Sequence, residues 1–147
     1  MPTVDLIIPA LNEEAALPRV LAEIPRPTAR RFIVADNGST DRTAEVAREL
    51  GAELVYEPER GYGAACLRAL GHLAADPPDS VACLDGHYSD HPGELAALIA
   101  PIVAGDADPV IGSRARGARE PGALSPQQRV GNAIACGALR ALYGVHY

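Results

Sequence analysis

Lysine is absent from this chain of 147 residues, so all 13 basic side chains are arginine. Any phosphate it binds must be held by arginine, by backbone N–H groups or by a metal ion. Positive charge is scarce overall: 19 acidic residues give a net charge of −6. Without a basic stripe, nucleic acid is excluded as a non-specific partner. Cysteine is scarce too. Cys66, Cys83 and Cys136 are odd in number, far apart and in apolar surroundings, which excludes a disulfide framework. They are expected as buried thiols in a reducing compartment. Long apolar runs are also lacking. The longest, residues 95–104, is interrupted by Pro101 and falls far short of a bilayer span. Met1-Pro2-Thr3 leads straight into a short apolar run with no basic flank, so no signal peptide is expected. A cytoplasmic chain follows, soluble or peripheral at the inner face of the membrane. No repeat or low-complexity linker is present.

What is there is a regular alternation. Apolar, β-rich runs at residues 4–8, 31–35, 52–56, 80–84 and 109–113 predict five strands. Helices are predicted between them, from Asn12-Glu13-Glu14 to about residue 24, then over 43–50, from 62 to about 74, over 92–103 and over 126–143. Asn12 is a candidate N-cap, with carboxylates following in the first turn. Leu17, Val20, Leu21 and Ile24 form that helix's apolar stripe. Such spacing means βαβ units: an α/β fold, one domain over residues 1–147, with a mostly parallel sheet flanked by helices on both faces. Leu142-Tyr143-Gly144-Val145-His146-Tyr147 has no polar tail and reads as a chain cut within its domain.

In parallel sheets, ligands bind beyond the carboxyl ends of the strands. Here those ends are Pro9-Ala10-Leu11-Asn12-Glu13, Asp36-Asn37-Gly38-Ser39, Asp85-Gly86-His87 and Gly112-Ser113-Arg114. Asp85 and His87, two residues apart at a strand end, are candidate ligands of one divalent cation. Oxygen suits Mg2+ or Mn2+, and the imidazole tilts the choice to Mn2+. The same dipeptide start, Asp-Gly, is also a common turn. Asp90 or His91 would cap the helix that Pro92 starts. Asp36 is placed to accept hydrogen bonds from a base or ribose, while Ser39, Thr40 or Asp41 would cap the next helix. Arg60-Gly61-Tyr62-Gly63 follows the third strand and has Cys66 where a third glycine would stand. It therefore fails as a dinucleotide fingerprint but fits a loop opening a helix near an anion. Arg114, directly after a strand, is a phosphate candidate.

In order and spacing, these motifs resemble the family 2 glycosyltransferases of GT-A (Rossmann-like) fold, in the branch near dolichol- and polyprenol-phosphate sugar synthases. The segments that carry the likeness are residues 8–14, 34–41, 60–65, 84–92 and 111–114. The resemblance implies a nucleotide-diphosphate-sugar donor and an acceptor that includes lipid phosphates at a membrane surface. It places Pro9, Ala10, Asn12, Glu13 and Asp36 around the nucleoside, with Asn37, Gly38, Gly61, Gly63 and Gly86 in the loops that line the donor. Asp85 and His87 fall on the family's Asp-x-Asp metal site, with His87 replacing the second aspartate. Arg114 and Arg129 fall where diphosphate or acceptor contacts are expected. An inverting displacement follows, in which metal and arginine stabilise the departing nucleoside diphosphate. A hydroxyl acceptor would need a base, for which Asp90 is the candidate. Two other classes remain: a non-catalytic nucleotide-sugar-binding domain, and a sugar-nucleotide pyrophosphorylase. The latter needs a Gly-rich basic loop after the first strand, and residues 9–14 are acidic instead. In the last helix, Val130, Ile134, Leu139 and Leu142 read as a core stripe or as a face toward a lipid acceptor.

Overall fold

The computed structural model describes residues 2–112 and 125–144. Residues Met1–Val110 form one compact unit and Ile111–Tyr147 a second.

The first unit is built on four strands, β1 (Val4–Ala10), β2 (Arg31–Asp36), β3 (Glu53–Tyr56) and β4 (Ser80–Cys83). All three pairings are parallel, in the order β3-β2-β1-β4. Helices α1 (Leu17–Glu23) and α2 (Thr43–Glu49) carry the chain from β1 to β3, and α3 (Tyr62–Leu73) carries it back to β4. A 3-10 turn, Pro92–Glu94, leads into α4 (Leu95–Ala104).

Alternation along β1 sorts the core into two layers. Leu6 and Ile8 join Leu17, Val20 and Leu21 of α1, Ala47 of α2, and Leu95 and Ile99 of α4. Ile7 joins Ile33, Ala35 and Val55 with Ala65, Ala69 and Leu73 of α3 on the other face. Helices therefore cover both faces, as the unbroken apolar strands require. The predicted stripe of α1 is buried throughout: Leu17, Val20, Leu21 and Ile24 are at most 5% exposed. Each such side chain contributes about 1.5–3 kcal/mol over its exposed state.

At the amino ends of the strands, Asp5 is fully buried. It accepts from Arg30 (Nε 3.0 Å, Nη2 2.8 Å) and Arg31 (Nε 3.1 Å, Nη2 2.6 Å). Asp76 adds a carboxylate 2.9 Å from Arg30 and a carbonyl 2.7 Å from Arg31. Burial pushes the Asp5 pKa up, but the hydrogen bonds and charges of the two arginines outweigh it and hold the carboxyl below its ordinary value.

Four expectations are corrected. Asn12 does not cap α1: its φ is +58°, and the helix begins only at Leu17, after a turn through residues 14–16. Pro18 sits near its start, where the missing N–H has no cost. No strand forms at 109–112, whose short apolar run is broken by Pro109 and Gly112; Ser113 lies outside the described residues. The cysteines are not all buried: Cys83 on edge strand β4 and Cys136 are exposed, and Cys66 is half-buried. In the second unit, α5 (Pro126–Tyr143) opens with a full capping box of Ser125 and Gln128. Its Val130, Ile134 and Leu142 are 60%, 68% and 74% exposed rather than core, because no other described element belongs to that unit. No described helix is long and apolar enough to cross a membrane.

Candidate functional site

The strand order reverses at β1. One connection leaves toward β2, while α3 returns the chain to β4 on the opposite side. In open α/β sheets, ligands bind at such a reversal, beyond the carboxyl ends of the strands.

Three loops at this rim are fastened to one another. The Asn12 N–H donates to Ser39 Oγ at 2.9 Å, and Asn12 Oδ1 accepts from the Thr40 N–H at 2.8 Å. The Glu13 N–H donates to Thr43 Oγ1 at 2.7 Å, and the Glu14 N–H to Asp41 Oδ2 at 3.2 Å. The N-cap position of α2 is Arg42, without a side-chain cap, rather than Ser39, Thr40 or Asp41; Asp41 accepts from the Thr43 N–H at 3.0 Å, and the three residues hold the β1 loop against the β2 loop. The run Ser-Thr-Asp offers more donors and acceptors than one helix cap needs, which is the sequence signal for this seam. Asn37, 5% exposed, fastens the third loop. Its amide donates to the carbonyls of Glu57 (3.0 Å) and Glu59 (2.6 Å), and its Oδ1 accepts from the Gly61 N–H (2.8 Å). Those bonds engage both ends of the amide, so Asn37 positions the loop that opens α3. Gly61 has φ +145°, a conformation closed to other residues, and Gly63 falls inside α3. Gly38, at φ +81°, lies beside Arg60, whose Nη2 is 3.5 Å from its carbonyl oxygen.

Asp36 ends β2 beside Ala10, the last residue of β1. It is 5% exposed and accepts from the Ser39 N–H at 2.9 Å. Asp85 follows β4 on the other side of β1. Two strand spacings put the strands that carry them about 10 Å apart. A ligand touching both must be extended across the end of β1.

The chain crosses there because residue 86 is glycine. A Cβ at Gly86 would lie 3.2 Å from the carbonyl oxygen of Pro9, 3.5 Å from Ala10 Cβ and 3.5 Å from Glu13 Cγ. Pro9, Ala10, Glu13 and Gly86 thus meet at one point. On either side of it stand Asp85 and His87, with Oδ2 and Nε2 4.0 Å apart. Neighbouring ligands of one octahedral ion, at about 2.1 Å each, stand about 3 Å apart, so a side-chain shift of about 1 Å would bring this pair onto a single Mn2+ or Mg2+. Among the described residues no arginine pairs with Glu13, Asp36 or Asp85. No described cluster of three or more His, Cys, Asp or Glu is gathered. A cation held here has two protein ligands, which leaves room for phosphate oxygens and water.

Tyr62, at the start of α3, was not singled out as a site residue. Its hydroxyl lies 3.5 Å from Cys83 Sγ. Cys83, burial and Asp85 together push its pKa up, so it stays a neutral donor beside Asp85. Burial and Cys83 push the Cys66 thiol up to about 11, which keeps it unreactive. Asp90 is half-buried in the turn after His87. His91 precedes the 3-10 turn without a side-chain capping bond. Arg114 lies outside the described residues, and Arg129 belongs to α5 in the other unit.

A parallel sheet with an Asp-x-His pair just beyond its switch point is the layout of an α/β protein that binds its ligand outside the strand ends. The description Glycosyl transferase family 2 matches residues 5–143, and the chain belongs to that family. An uncharacterised glycosyltransferase of Mycobacterium bovis is 47% identical over 111 residues, which cover 76% of this chain and 48% of that one. A dolichyl-phosphate hexose transferase of Haloferax volcanii is 42% identical over 74 residues, covering 50% and 32% of the two chains. Glucosyl-3-phosphoglycerate synthase of Mycobacterium tuberculosis, solved with Mn2+, UDP-glucose and phosphoglyceric acid, superposes with a TM-score of 0.59 at 32% identity. That likeness covers 71% of this chain and 40% of the synthase, and confirms the GT-A-like fold. The chain spans about half or less of the length of these relatives.

Proposed function

We propose that this chain is the donor-binding part of a family 2 glycosyltransferase that moves a sugar from a nucleoside diphosphate to an acceptor with inversion. The observation that carries the reading is the Asp85–His87 pair at the switch point, 4.0 Å apart with no arginine on either side chain among the described residues. Asp36 and the Asn12–Glu13 loop face the nucleoside, and Asp85 and His87 hold Mn2+ or Mg2+. Bound there, the cation neutralises charge that builds on the departing diphosphate. Glu13 and Gly86 close the floor between them, and Tyr62 keeps a neutral donor against Asp85.

The acceptor we favour is a polyprenyl phosphate, met by a chain peripheral to the inner membrane face. Its support is the dolichyl-phosphate hexose transferase among the relatives. A phosphate acceptor is already anionic at neutral pH and needs no general base, leaving Asp90 with no proton to take.

Thermal unfolding with UDP- and GDP-sugars, each with and without Mn2+, tests the reading. A ligand at 100 times its Kd adds about 2.7 kcal/mol, or about 5–10 °C in Tm for a chain of this size. The expected result is a shift that needs both sugar nucleotide and Mn2+. Absence of any shift with either nucleotide overturns it. A shift without sugar transfer identifies a binding domain only.

A further inference from the structure

Tyr88, the residue after His87, breaks a local rule. It has φ +57°, in the left-handed region that a residue with a bulky side chain avoids. Such strain persists only where the surroundings hold it. Here they do. The Tyr88 hydroxyl donates to Glu23 Oε1, and the Arg19 guanidinium stands 4.0 Å above the ring centroid. The ring also packs against the core layer that contains Leu17, Val20 and Leu95. Arg19 and Glu23 lie one turn apart on α1, so a single helix face grips both the ring and the hydroxyl.

The geometry has a direct consequence for the neighbouring pair. The backbone passes Pro9 at Gly86 and is turned back at Tyr88. His87 is the residue caught between these two fixed points. Its side chain is 53% exposed and makes no other ion pair among the described residues. Among the described residues no other partner holds the imidazole beside Asp85, so the path of the backbone decides where it can reach. We infer that Tyr88, clamped on α1 by Arg19 and Glu23, is a positioning residue that presets the Asp85–His87 gap for a divalent cation. This role rests on the cation reading above and adds to it a residue that never touches the ion. Groups that orient metal ligands without binding metal typically cost about 10–100-fold in affinity when lost.

The test is Mn2+ affinity, read by the electron paramagnetic resonance of free Mn2+, on the 147-residue chain. Tyr88→Asn keeps a residue that tolerates positive φ and removes the clamp. It is expected to weaken Mn2+ binding about tenfold. Tyr88→Phe and Glu23→Gln keep the ring on Arg19 and lose or weaken one hydrogen bond, with a loss of about threefold. Thermal unfolding of each variant is run alongside, and Tyr88→Phe carries the test if Tyr88→Asn fails to fold. Amide exchange across residues 85–90 should quicken in step with the loss of affinity. Asp85→Asn separates the two ideas. If it abolishes Mn2+ uptake while Tyr88→Asn and Tyr88→Phe bind as the parent does, the clamp is overturned and the cation reading stands. If the parent takes up no Mn2+, or Asp85→Asn binds it equally well, both fall.

Discussion

The two ends of the sheet treat a carboxylate in opposite ways. At the amino end, Asp5 is buried under two arginines, with Asp76 completing the network. At the carboxyl end, Asp85 has an imidazole 4.0 Å away and no arginine among the described residues. Both aspartates flank the same strand pair, β1 and β4. The difference is what surrounds them. Where the protein closes a charge with its own cations, the arrangement is structural and complete. Where carboxylates stand without a cation of the protein's own among the described residues, the arrangement suits the cation site proposed above.

The largest expected effect is at the open end. Asp85→Asn should weaken Mn2+-dependent binding of a nucleotide sugar by more than about a hundredfold, since even the partners of metal ligands cost 10–100-fold. Its Tm should stay within a degree or two of the parent, measured by calorimetry. A variant that loses stability and keeps binding would erase the contrast between the ends. Asp5→Asn should do the reverse. It leaves two arginines facing each other without their shared anion. Both keep some contact with water (32% and 20% exposed), so the cost is expected at about 2–3 kcal/mol, below that of a wholly buried pair. Cation affinity should not move. The pH profile gives a second reading. The Asp5 pKa is depressed in the folded chain below its ordinary 3.8. Its stabilisation is therefore complete above about pH 4 and is lost as pH falls through the lower, folded value. Denaturant titrations of parent and Asp5→Asn should differ above about pH 4 and converge as pH falls through the depressed, folded value.

How much of this could be read from residues alone differs between the two ends. The strand ends were legible because Asp36, Asp85 and Gly86 interrupt apolar runs, and a parallel sheet sends such interruptions to one rim. The stripe of α1 was legible because burial repeats every turn. The network at Asp5 was not: a lone aspartate in an apolar strand names no partner, and Arg30 and Arg31 lie some 25 residues away, joined to it only by strand register. Asn12 misled for a related reason. Asparagine suits both a helix cap and a left-handed turn, and the choice was made by Ser39 and Thr40 on another loop. Tyr88 was hidden in the motif because its strain is set by α1, not by its neighbours in sequence.

The smallest effect expected is at Gly86, and it bears on both ends at once. A methyl group there would meet the Pro9 carbonyl oxygen at 3.2 Å. That oxygen belongs to the backbone of the central strand and cannot swing aside as a side chain would. Gly86 does not adopt a positive φ, so the cost of Gly86→Ala is contact and not conformation. Overpacking of this kind costs about 1–3 kcal/mol when the core must absorb it. Here the neighbour can yield by a few tenths of an ångström only if the turn carrying Asp85 and His87 lifts away from β1. The expected outcome is a modest loss of stability, about 1 kcal/mol, together with a weakening of Mn2+ binding larger than stability alone would give. Calorimetry and Mn2+ titration of the same sample read both. Equal stability and equal affinity would mean that the crossing at Pro9 is slack, and that the open end of the sheet is held by the Tyr88 clamp alone.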